Sequence, residues 1–295
     1  MLVILARRMD VGVDIDILTK AFFYVDEPVP YKLTDKDILY IYPVSVKDSE
    51  VFSSSCDILQ IDKNSLASVE IIQMSYLDFL LKVLIPSDES KLCLDKLFNV
   101  MRLCLRWDNW TLKVDDNQKI SLVNEDNDFE IKARQFDDIK RIILYQNLLH
   151  YDDEYIDPDL KKAIEETNKL RSANIVAPSL ERRISIVTAH CGLPKREQLA
   201  MTMRAHQSLF EECGGEVEYT TTRPIALYAG NAKDVEWIYK AKKNKYSDYI
   251  MTLEDYNKSM GGDGKVADGK IRASKNVPAD GATLDAMYNM NINSK

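Results

Sequence analysis

The stretch WTLKVDDNQKISLVNEDNDFEIKARQFDDIKRIILYQNLLH, residues 110–150, decides the fold. Trp110-Thr-Leu-Lys-Val114 alternates apolar and polar residues, the period-two pattern of a half-buried strand. Asp115-Asp-Asn-Gln118 supplies turn chemistry, and Lys119-Ile-Ser-Leu-Val123 reads as the returning arm of a hairpin. Asp128-Phe-Glu-Ile-Lys132 fits a third strand. From Asp137 the period lengthens: Ile139, Ile142, Ile143 and Gln146 share one face of a helix that runs to about His150. Antiparallel strands giving way to a helix within one stretch point to an α+β fold.

Upstream, Ile38-Leu-Tyr-Ile-Tyr42 and Asp57-Ile-Leu-Gln-Ile-Asp62 are short β-rich runs. Between them, Val46-Lys-Asp-Ser-Glu-Val-Phe52 starts as a helix with Asp48 as its cap. Ser75–Leu84 has helical spacing and stops at Pro86. Leu92, Leu94, Leu97, Phe98, Met101 and Leu105 form a second stripe, predicting an antiparallel helix pair with a short connection. Residues 1–133 thus read as a mixed α+β domain. The apolar Met1–Ala6 is followed, not preceded, by Arg7-Arg8, the wrong order for a signal peptide, so it predicts a buried first strand.

Downstream, residues 134–260 read as a mainly helical domain. Helices are predicted from Pro158 to about Arg171, from Pro178 to near Gly192, from Lys195 to Glu212 with a stop at Gly214, and at 223–230 and 252–259. Residues 261–295 are rich in Gly, Asp, Lys, Ala and Asn without apolar period and read as an irregular tail.

Composition bounds the function. The chain of 295 residues carries 39 basic and 47 acidic residues, a net charge of -8, so nothing draws it generally to nucleic acid or anionic lipid. No run approaches the ~18 apolar residues of a membrane span. Five scattered cysteines without a CxxC pair argue for free thiols and a reducing, cytoplasmic place of folding. No glycine occurs in residues 13–191, so that stretch holds neither a P-loop nor a Rossmann turn in its usual form. No cofactor is implied.

Three groups of residues invite a chemical reading. The acidic run Tyr151, Asp152, Asp153, Glu154, Tyr155 and Asp157 has the carboxylates a hard cation wants, but it lacks the glycine and distal glutamate of an EF-hand. It reads better as a solvated loop feeding a helix N-terminus, or with its tyrosines as a contact surface. His190-Cys191 suggests a nucleophile, yet adjacent helical residues point about 100° apart, and Cys191 needs His150 or His206 from another helix. Trp237, Tyr239, Lys240, Lys242, Lys243 and Lys245 interleave aromatics with cations. That segment suits single-stranded nucleic acid or, preferably, the acidic loop of a neighbour. Met287, Tyr288, Met290 and Ile292 form an apolar group near the end, suited to docking on a neighbouring protein.

One resemblance adds to this. Phe136–Asn147, Tyr151–Pro158, Pro178-Ser-Leu-Glu181, Ile41–Lys47 and Ser75–Phe79 resemble proteins of bacteriophage structural-gene clusters, namely tail-morphogenesis factors of the tail assembly chaperone kind or minor virion proteins. It spans roughly residues 38–240, with Trp237-Ile-Tyr239 matching the end of the pattern and the Gly-rich tail departing from it. The resemblance implies a non-enzymatic protein whose partners are other phage structural proteins or copies of itself. It places the work in the host cytoplasm during assembly or in the virion.

Overall fold

The hairpin and helix of residues 110–150 form, but the alternating first arm, Trp110–Val114, is largely exposed as the sheet's edge, and the returning arm and the helix pack on the core. The computed structural model describes residues 13–63, 68–88, 91–116, 118–154, 158–173, 176–230, 262–267 and 270–273. The strand predicted at Met1–Ala6 and the helix at 252–259 lie outside them. Residues 1–155 and 177–237 group into one compact unit, and 156–176 with 238–295 into a second. Each unit is described by itself.

The first unit opens with α1 (Ile15–Ala21), capped by Asp14, whose Oδ1 accepts the Ile17 N–H at 3.1 Å. Strands β1 (Val29–Lys32) and β2 (Ile38–Ile41) pair antiparallel, Val29 opposite Ile41. A 3-10 turn (Val46–Asp48) leads into α2 (Ser49–Ser55). Asp48 stands at the N-cap, but its carboxylate accepts from the Ser45 hydroxyl (2.8 Å), not from the backbone of the helix.

The run predicted as a strand at 57–62 is instead α3 (Asp57–Gln60). Adjacent Ile58 and Leu59 are both buried, which a strand with alternating faces does not allow in a one-sided position. The Tyr76 hydroxyl fixes the turn by donating to the Ile58 carbonyl at 2.8 Å.

After α4 (Val69–Gln73) the chain forms α5 (Tyr76–Phe79), a π-turn at Leu80–Leu84 and α6 (Ile85–Ser87). Ser75 caps α5 by accepting the Asp78 N–H at 3.0 Å. Pro86 therefore lies in the last turn and does not end the helix before it. Next comes α7 (Leu92–Leu105). The expected antiparallel pairing of 75–84 with α7 is not the main contact of either. Helix α7 packs chiefly on α2, and α5 on the helix after the second sheet. The predicted stripe divides accordingly: Leu97, Met101 and Leu105 are buried, while Leu92, Leu94 and Phe98 are exposed.

Strands β3 (Trp110–Val114), β4 (Ile120–Asn124) and β5 (Glu130–Lys132) form an antiparallel sheet in that order. Leu122 opposite Ile131 faces the core, and both are fully buried. Helix α8 (Ala133–Asn147) follows, its first turn held by the Gln135 side chain, which accepts the Lys132 N–H at 2.9 Å. Ile139, Ile142 and Leu144 enter the same hydrophobic cluster as Ile41, Phe52, Leu77, Leu97 and Cys104. Packing thus runs across residue 133 without a break.

After α9 (Pro158–Ser172) of the other unit, the rest of this unit is α10 (Leu180–Cys191), α11 (Lys195–Ala200) and α12 (Met203–Tyr228). Helix α10 runs from a Ser179 cap to Gly192 at φ +70, a left-handed stop that glycine adopts readily. The predicted helix 195–212 is two helices. The chain breaks at Met201-Thr202, where Thr202 bridges Ser45 and the Thr202 hydroxyl accepts the Ala205 N–H at 3.2 Å. The second helix passes through Gly214-Gly215, which stop nothing, and absorbs the predicted helix at 223–230 together with Pro224.

In the second unit, α9 (Pro158–Ser172) has Pro158 at its first position, as read from the sequence. The tail is not wholly irregular: β6 (Gly262–Ala267) pairs antiparallel with β7 (Lys270–Ala273). Among the described residues, no helix is long and apolar enough to cross a membrane.

Candidate functional site

The acidic loop is built onto α8. Arg141 holds the Asp153 carboxylate through two hydrogen bonds, Nε to Oδ2 and Nη2 to Oδ1. The Tyr145 hydroxyl donates to the same Oδ1 (2.7 Å) and accepts the Asp153 N–H (3.1 Å). Burial raises the Asp153 carboxyl, and Arg141 and Tyr145 more than offset it, so it titrates below the ordinary carboxylate value. The Tyr151 ring meets Tyr145 edge-on at 4.9 Å. Burial pushes the Tyr151 hydroxyl up to about 12, with the Asp153 charge adding to it. The Asp152 carboxylate accepts the Glu154 N–H at 2.9 Å. Asp153 is thus committed to fixing the loop rather than presented as a ligand. Tyr155 and Asp157 lie outside the described residues.

Beside this loop runs an open groove of about 750 Å³. One side comes from Val46 of the 3-10 turn and Ser49, Glu50 and Ser53 of α2, with Gln60 of α3. The floor is the chain leaving α8, from Asn147 to Asp152, and the far wall is Leu180 and Arg183 of α10 with Met203, His206 and Gln207 of α12.

Its shape is held by two buried polar clusters. Asn147 accepts the Val44 N–H through Oδ1 at 2.7 Å and donates from Nδ2 to the Ile143 carbonyl at 2.9 Å. Gln198, fully buried, donates to the Thr188 hydroxyl and the Leu193 carbonyl, both at 2.8 Å. Its Oε1 accepts from His206 Nε2 at 3.1 Å. Burial and the nearby Arg183 charge lower the His206 pKa, which keeps the ring neutral near pH 7.

A polar chain crosses the far wall. Arg183 Nε donates to the Pro178 carbonyl (3.1 Å) and Nη1 to Gln207 Oε1 (3.2 Å). Gln207 Nε2 donates to Glu211 Oε1 at 2.6 Å, and Glu211 pairs with His150 Nε2 at 2.8 Å. These links join α10, α12 and the exit of α8. The groove offers apolar contacts from Val46, Leu148, Leu149 and Met203 beside charges of both signs. That mixture suits an extended segment of protein.

A second concavity, of about 550 Å³, lies between the 46–48 turn and α11. Lys47, Lys195 and Arg196 surround an apolar floor of Leu199 and Ala200. Lys47 joins Lys195 and Arg196 because the Val46 N–H donates to the Met201 carbonyl at 2.8 Å.

The Cys/His pairing considered from the sequence takes another form. His150 engages Glu211, His206 engages Gln198, and His190 Nε2 lies 2.7 Å from Glu216 Oε2. Cys191 faces Cys213 instead. Among the described residues, no three His, Cys, Asp or Glu side chains group to hold a metal ion. Trp237, Tyr239, Lys240, Lys242, Lys243, Lys245, Met287, Tyr288, Met290 and Ile292 lie outside the described residues. The sequence missed the Arg183–Gln207–Glu211–His150 chain and the Gln198–His206 pair, because their members come from separate turns of different elements. Comparison of the chain with protein-family models, curated proteins and solved structures finds no match.

Proposed function

We propose that the protein is a non-enzymatic assembly or virion protein of a phage that works through protein–protein contacts with other structural proteins or copies of itself. The observation that carries the contact role is the open groove between α2, the α8 exit, α10 and α12. It is large enough for several side chains and combines the apolar Val46, Leu148, Leu149 and Met203 with the carboxylates of Glu50 and Asp152 and the guanidinium of Arg183. The groove also borders the acidic loop and falls within the span of the phage resemblance, which alone supplies the setting.

Photo-crosslinking tests the reading. A benzophenone amino acid replaces Ser53 in the groove or, as a control, Lys36 in the turn between β1 and β2. Each full chain is expressed during phage assembly, irradiated and analysed by mass spectrometry. Crosslinks from position 53, absent from position 36, to a structural protein or a second copy are expected. Crosslinks from neither position, with salt-sensitive retention of nucleic acid by the purified chain, count against it.

A further inference from the structure

Cys191 closes α10, and Cys213 lies in the middle of α12, with the two Sγ atoms 3.5 Å apart. Neither thiol is alone on its surface: the His190–Glu216 pair at 2.7 Å already clasps the same two helices beside them. Access is asymmetric. Cys191 is exposed and Cys213 is buried, so a reagent from solvent meets Cys191 first. The other cysteines are poorer entry points: Cys56 and Cys104 are buried and Cys93 is half-buried.

We propose that Cys191 and Cys213 form a redox-reversible modification site, an intramolecular dithiol that a small-molecule disulfide oxidises to a clamp between α10 and α12. The Cys191 thiol loses its proton to solvent, and its sulfur attacks one sulfur of the small disulfide. That S–S bond breaks, and the departing thiolate takes up a proton. Cys213 then loses its proton, and its sulfur attacks Cys191 Sγ, breaking the mixed disulfide and expelling the second small thiol. Two cysteine thiols are oxidised and one disulfide is reduced to two thiols. Closure brings the sulfurs from 3.5 Å to a bond of about 2.0 Å.

The geometry also orders the steps. Burial, the Cys191 thiol and the Glu216 charge push the Cys213 thiol up to about 11, so Cys213 is the slower nucleophile in solution and acts once Cys191 presents an activated sulfur beside it. The clamp encloses Gly192–Glu212, which carries α11 and the Gln198 hub that holds His206.

The test equilibrates the full chain in glutathione buffers poised from about −320 to −150 mV, followed by acid quench, alkylation, intact mass and peptide mapping. A loss of about 2 Da with a Cys191–Cys213 linked peptide is expected, reversed by reductant. C191S and C213S each abolish it, and C93S leaves it intact. The oxidised chain melts about 5–10 °C higher, since the bond closes a loop of some twenty residues. Absence of the linked peptide at −150 mV, linkage through Cys93, or a disulfide between two chains overturns the site. A bond that forms without raising the melting temperature overturns the clamp.

Discussion

Lys140 sits where its charge is costly. Its Nζ lies 3.5 Å from the centre of the Tyr76 ring. Burial lowers its pKa to about 8, against the pull of Asp137 and Asp153. Below pH 8 the ammonium is charged in the folded and unfolded chains alike, and folding bears the full desolvation cost. Between about 8 and the ordinary 10.5 the unfolded chain binds more protons, so this group's contribution to stability rises with pH. The buried thiols oppose the trend from about pH 9, where their unfolded forms ionise first. Lys140→Met is therefore expected to be more stable than the parent at pH 7 by roughly 1–2 kcal/mol, allowing for partial exposure and the lost cation–π contact. The gap closes as the pH approaches 10. Urea midpoints of both proteins from pH 7 to 10 check this, and a gap that widens with pH rejects it. Asn147 is the opposite kind of residue, buried and paired at both ends of its amide. Asn147→Ala strands the Val44 N–H and is expected to cost about 2–3 kcal/mol by urea denaturation. A cost below about 0.5 kcal/mol would mean that water replaces the amide.

Among the elements, α12 departs furthest from its sequence signals. Gly214-Gly215 reads as a helix stop, and Pro224 as a boundary, yet the helix runs from Met203 to Tyr228. Gly214 has no left-handed backbone, and an added Cβ meets nothing within 4 Å. Gly214→Ala is expected to stabilise the protein by about 0.5–1 kcal/mol, read from the thermal midpoint by circular dichroism. Destabilisation by a similar amount would show that the helix ends at this point in solution. The true break, at Met201-Thr202, has no glycine or proline in it. It exists because Val46 and Met203 exchange backbone hydrogen bonds between the two segments, to Met201 and Val44 respectively. A contact between residues about 155 apart leaves no local trace. By contrast the Ser179 and Gly192 ends of α10 are written in the chain, as a hydroxyl that accepts the Arg182 N–H and a residue without Cβ at φ +70.

For the whole molecule, the main hydrophobic cluster draws its buried members from Leu18 to Leu144. Residues 261–295 carry no apolar period in the sequence. Deleting 261–295 is therefore expected to shift the main thermal transition by less than about 3 °C while weakening assembly with partner proteins. Calorimetry of the full and shortened chains, together with recovery in assembled particles, checks both parts. A large drop in the main transition would place the tail in the stability of the core. The groove belongs to the same scale: its walls come from helices separated by more than one hundred residues in sequence.

The sequence by itself determined the elements whose side chains repeat at a fixed period or whose ends carry a cap. The hairpin of 110–123, the third strand, α8, the Pro158 start of α9 and the Gly192 stop are local matters of backbone geometry, legible over a few residues. Tertiary structure alone decided that residues 57–60 are helical, because two adjacent apolar residues are buried together there. It decided that α7 leans on α2 and that α12 ignores its glycines. It also put Cys191 opposite Cys213 and linked Arg183, Gln207, Glu211 and His150 in one chain of hydrogen bonds. Those arrangements depend on which faces meet across the core, and a pairing between distant turns carries no period along the chain.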